Sequence, residues 1–167
     1  AFEISTAYPL LLSLLDAKVS EPILDEIAVV LESYLLRRAV CGYTTKNYNR
    51  IFLQLTKAIR TETVTAQRLR ELLFEFKGDS TEWPTDEVFA KAWMTGRVYH
   101  QLNNPKLVHI LKRISSETLT SKHENVQVTG DLTVEHLMPQ QWIEFWPLPD
   151  GSTGMSDVDQ LLADQHD

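Results

Sequence analysis

Glu135 and His136 stand side by side, with Pro139 three residues beyond His136 and Gln140 directly after it. Those residue types suit hydrolysis of a phosphodiester. A neutral imidazole, with an ordinary pKa of about 6.5, can activate water near neutral pH. A carboxylate is a hard oxygen ligand for Mg²⁺, and such a cation offsets charge on the leaving oxygen. From spacing alone, a histidine with a carboxylate partner that merely stabilises a turn is the commoner reading.

The elements around the pair must position it. Gly130 opens a short β-branched run, Asp131-Leu132-Thr133-Val134, whose composition predicts a strand. Pro139 stops that strand and can start a helix at Gln140, Gln141 and Trp142. Neighbours on a strand point to opposite faces, so Glu135 and His136 can share one cluster only where the strand ends or bends.

The run Val134-Glu135-His136-Leu137-Met138-Pro139-Gln140 resembles the acid-His-x-x-Pro-Gln signature of HNH, or His-Me finger, nucleases. More narrowly it is similar to the C-terminal nuclease domain of GmrSD-type restriction endonucleases. Upstream, residues 31–42, with the pair Arg37-Arg38, are similar to that family's helical segment with paired arginines. Trp83-Pro84-Thr85-Asp86-Glu87-Val88-Phe89 resembles a second landmark. The resemblance spans roughly residues 8–145. It implies a metal-dependent DNA endonuclease of bacterial restriction and antiviral defence, cytoplasmic and acting on double-stranded, sometimes modified, DNA. It implies His136 as general base, Glu135 as metal ligand, Mg²⁺ as cofactor, and Pro139 and Gln140 as structural residues of the motif. An N-terminal nucleotide-dependent domain of the same protein is the implied partner.

The family's second strand reads roughly Gly-Asn-Leu-Thr-Leu, followed by a helix bringing Asn or His to the metal. This sequence has no asparagine after Asn125 and no such strand before Asp167. The expectation is therefore half a site in these 167 residues, with activity belonging to the intact protein.

Composition is consistent with that organisation. Apolar residues make up 43%, enough for an ordinary core. No apolar run reaches membrane-spanning length, and the short apolar stretch at 7–15 lacks the basic flank of a signal peptide. The single cysteine, Cys41, cannot form an internal disulfide. The net charge of −7 hides an asymmetry. No Lys or Arg follows Lys122, whereas nine basic and three acidic residues lie between Arg37 and Lys77 inclusive.

Most of that basic charge falls on predicted helices. Pro9 sits in the first turn of one over 8–15. Ser20-Glu21-Pro22 starts a long one running to about Val40, with Gly42 just past its end. Thr44 or Thr45 caps a helix over about 46–60, Thr65 one ending at Gly78, and Thr85 another broken near Gly96. Pro105 opens a further helix, and residues 117–129 read as a loop. Along the helix over 46–60, Lys46, Arg50, Lys57 and Arg60 share roughly 80° of arc at 100° per residue. They are either a solvated face or contacts to the DNA backbone, as Arg37 and Arg38 are either DNA contacts or a structural ion pair. His100, His109, His123 and His166 do not cluster at metal-ligand spacing, and no Cys pairs exist for a zinc site.

The expected architecture is thus mainly α. A helical bundle over 1–120 precedes an incomplete HNH-like element over 121–167, comprising the first strand and turn of a ββα-metal fold and an acidic tail. The competing expectation is a non-catalytic helical DNA-binding or interdomain module.

Overall fold

The longest helix follows directly from its sequence. Ser20 takes an extended backbone conformation and Pro22 lies in the first turn, so α2 (Glu21–Val40) begins where the Ser-Glu-Pro pattern places it, although the Ser20 side chain makes no capping bond. It ends in a Schellman motif. Gly42 adopts φ +67°, the Gly42 amide donates to the Ala39 carbonyl at 3.2 Å, and the Tyr43 amide to the Arg38 carbonyl at 2.9 Å.

The structure is a computed structural model and describes residues 5–61, 63–96, 98–119, 130–135, 146 and 149–151. Those residues are mainly helical and include no strand. A 3-10 turn, Ser5–Ala7, leads into α1 (Tyr8–Asp16) ahead of α2. After α2 come α3 (Tyr48–Thr61), α4 (Ala66–Glu75), α5 (Asp86–Thr95), α6 (Val98–Gln101) and α7 (Asn104–Thr118).

Caps set several of these starts. Thr65 Oγ1 accepts from the Arg68 amide at 3.1 Å, and Thr85 Oγ1 from the Val88 amide at 3.4 Å. Asn103 Oδ1 does the same for the Lys106 amide at the head of α7, at 3.3 Å. α5 ends at Gly96, which turns to extended geometry at a point where a Cβ would lie 2.3 Å from the Ala92 carbonyl oxygen, so only glycine fits. Two boundaries differ from expectation. α3 starts at Tyr48, since Thr44 Oγ1 accepts from the Lys46 amide in a turn ahead of the helix. α4 stops at Glu75 because Phe76 leaves helical geometry to pack against the core, and Gly78 instead closes a turn that accepts from the Thr81 and Glu82 amides.

The chain divides into two compact units, residues 1–109 and 110–167. In the first, α1 packs on α3, and α2 packs on both α4 and α5. One face of α2, Ile27, Leu31, Tyr34 and Leu35, joins Ile51, Phe52 and Leu55 of α3 and Leu69 and Leu73 of α4 in a continuous core. Burying each large aliphatic side chain there contributes about 1.5–3 kcal/mol.

In the second unit, residues 131–135 are irregular rather than the strand expected for Asp131–Val134. A β ladder needs a paired neighbour, and none is assigned among the described residues. The remainder of the ββα element and the helix expected from Gln140 lie outside the described residues.

Candidate functional site

Arg37 and Arg38, adjacent on α2, part ways. Tyr34 and Arg38 are four residues apart, so Arg38 continues the seam that Ile27, Leu31 and Tyr34 bury and is itself 0% exposed. Its Nη1 donates to the Glu82 carbonyl at 2.8 Å, and its Nη2 to the carbonyls of Thr44 at 2.6 Å and Asp79 at 3.3 Å. The guanidinium also lies over the rings of Tyr34, Tyr43 and Tyr48, at 5.5, 5.3 and 5.6 Å. Its Nε is buried without a hydrogen-bond partner among the described residues. Of the two roles open to Arg38, the structure gives it the bracing one, with no surface left for a phosphate; what it braces is backbone carbonyls, not a carboxylate.

The segment 79–84 is held at other points too. Tyr34 Oη donates to the Thr81 carbonyl at 2.6 Å, and Asn47 Nδ2, just ahead of α3, donates to Ser80 Oγ at 2.7 Å. Burial pushes the Tyr34 and Tyr48 phenols up from their ordinary range, the nearby Arg38 charge opposing this in both. Burial likewise raises the Cys41 thiol, so that side chain is no activated nucleophile.

Arg37 faces outward enough to be partly solvated. It pairs with Asp86 at 2.6 Å, reaches the Pro84 carbonyl at 3.3 Å and lies 5.1 Å from the Phe89 ring centroid. Beside it, Phe74 and Trp83 stack at 4.8 Å and 22°, with the Arg70 guanidinium 5.5 and 6.0 Å from the two rings. Sequence reasoning singled out Trp83 but missed Arg70 and Phe74; their i, i+4 spacing on one helix was the available signal.

Arg50, Lys57 and Arg60 are exposed on α3, opposite the buried Ile51, Leu55 and Ile59, and Lys46 is exposed in the turn before it. No carboxylate pairs with these four among the described residues.

Glu135, in the second unit, is an exposed carboxylate on the irregular segment, with, among the described residues, only a 3.5 Å contact from Thr133 Oγ1. An exposed, loosely held carboxylate fits a hard-cation ligand. Among the described residues no group of three or more His, Cys, Asp or Glu side chains could hold a metal. His136, Pro139 and Gln140 lie outside the described residues. No described helix is long and apolar enough to cross a membrane.

A family model described as GmrSD restriction endonucleases, C-terminal domain, matches residues 83–165. The match begins at Trp83 and encloses Glu135 to Gln140, while Arg37-Arg38 and the basic stripe lie upstream of it. No curated protein and no solved structure matches the chain.

Proposed function

From the premise that this chain belongs, through residues 83–165, to the GmrSD restriction endonucleases as a C-terminal domain, we propose that it contributes the hydrolytic site of a DNA endonuclease. The observation that carries the reading is the enclosure of Glu135-His136-x-x-Pro139-Gln140 within the matched segment. His136 acts as general base, removing a proton from the attacking water with a neutral imidazole nitrogen. Glu135 is one of the residues that would hold a divalent cation, Mg²⁺ by chemistry. Such an ion supplies charge stabilisation at the scissile phosphate and leaving oxygen. Pro139 and Gln140 fix the turn that follows.

Arg50, Lys57 and Arg60 on α3, with Lys46 ahead of it, hold the backbone of double-stranded DNA. Exposure without carboxylate partners among the described residues supports this role. Phosphate contacts of this kind position a duplex without reading its sequence. A nucleotide-dependent N-terminal domain is the partner that a C-terminal restriction domain calls for.

A second reading keeps the DNA and drops the chemistry: a helical DNA-binding module in which the Glu-His-x-x-Pro-Gln run is a packed turn. The exposed stripe on α3 favours it equally. Plasmid nicking in Mg²⁺ or Mn²⁺ separates the two. The intact protein cuts and its His136→Ala variant does not if the site is catalytic; equal behaviour of both leaves only the binding module.

A further inference from the structure

A cleft of about 390 Å³ lies among α2, α4 and the start of α5, with Val29, Arg37, Arg70, Phe74, Trp83 and Glu87 in its lining. Its size falls within the range of small-molecule sites. Phe74 is 43% exposed and Val29 53%, so the cleft presents flat and aliphatic apolar surface to solvent. The Phe74 and Trp83 rings stack on each other, and the exposed Arg70 guanidinium lies over both. Asp86 is taken by Arg37 at 2.6 Å, whereas no carboxylate pairs with Arg70 among the described residues. Glu87, at the head of α5, is a second carboxylate of the lining and is fully exposed.

We propose that this cleft receives one unpaired nucleobase of the DNA, stacked on the Phe74–Trp83 platform with Arg70 facing the adjoining phosphate. The inference rests on the DNA substrate proposed above and adds a contact separate from the α3 stripe. A flat apolar face beside a guanidinium matches a flat base tethered to a phosphate, and every base has such a face. Glu87 adds an acceptor for an exocyclic amino group, a preference for cytosine or adenine over thymine. Duplex DNA keeps its bases stacked internally and gains nothing from the platform unless one is extruded.

The test is fluorescence anisotropy of the 167-residue chain with a labelled single strand and with a duplex of the same length. Phe74→Leu and Arg70→Gln alter exposed side chains, and circular dichroism verifies their folding. Phe74→Leu is expected to weaken single-strand binding roughly tenfold, since one stacked base contributes about that much. Arg70→Gln is expected to flatten the single-strand salt dependence by roughly 0.7 in log–log slope. Both variants should bind duplex as the wild type does. If Phe74→Leu binds single strands like the wild type, or loses both forms equally, the cleft proposal falls. Nicking by the intact protein would then still support the endonuclease reading, so the two failures are distinguishable.

Discussion

Arg38 Nη1 donates to the carbonyl oxygen of Glu82 at 2.8 Å, tying the buried face of α2 to the residue immediately before the matched family segment. The bond belongs to a set. Tyr34, Arg38 and Asn47 each engage the turn at 79–82, and Arg37 reaches Pro84. A buried cation among carbonyl dipoles and three tyrosine rings thus anchors the start of the family domain to the upstream helices.

The two arginines should therefore differ sharply on truncation. Arg38→Ala removes a fully buried side chain with its three carbonyl bonds and opens a cavity, and is expected to cost about 3–5 kcal/mol. Arg37→Ala breaks a pair whose Asp86 partner is largely solvated, and is expected to cost no more than about 1 kcal/mol. Urea denaturation of the two variants measures both, and equal costs would refute the anchoring role of Arg38.

Alkaline pH should weaken the fold through Tyr34 and Tyr48. Burial raises both phenol pKa values above the ordinary value near 10. The stability they contribute is complete below pH 10 and is lost as pH rises toward the folded-state values, because the unfolded phenols release protons first. Melting temperature should fall above pH 10. Phenolate absorbance from these two residues should appear only with unfolding.

Helix caps give a contrast between residues of similar type. Thr85→Ala removes the bond to the Val88 amide and is expected to cost about 1 kcal/mol. Ser20→Ala removes no capping bond and should change stability by only a few tenths of a kcal/mol at most. Thermal melts of the pair decide this.

The α3 stripe should carry the salt dependence of duplex binding. Replacing Arg50, Lys57 and Arg60 by Ala is expected to leave the fold intact, since all three are exposed. Every phosphate that is no longer neutralised should flatten the plot of log affinity against log salt by about 0.9. An unchanged slope would remove the stripe from the DNA interface.

The helices were legible because apolar spacing, Pro in first turns, the Thr65 and Thr85 caps and Gly past the ends of α2 and α5 point to the same elements. The end of α4 was not, because Phe76 follows tertiary packing rather than the local run toward Gly78. Arg38 was half legible. Its register with Ile27, Leu31 and Tyr34 points inward, but its carbonyl partners at Asp79 and Glu82 lie more than 40 residues away and carry no sequence pattern. The exposure of the α3 stripe follows from its arc opposite Ile51, Leu55 and Ile59. For the candidate site, residue types named Glu135 and His136, whereas the irregular backbone at 131–135 departs from local β propensity, which forms a strand only with a partner.

Plasmid nicking in Mg²⁺ by the intact protein, wild type against His136→Ala, tests the central claim most directly. Nicking by the wild type, reduced by at least about 100-fold in the variant, is the result predicted for a general base. Nicking that persists undiminished in His136→Ala, or no nicking by either protein, would contradict it.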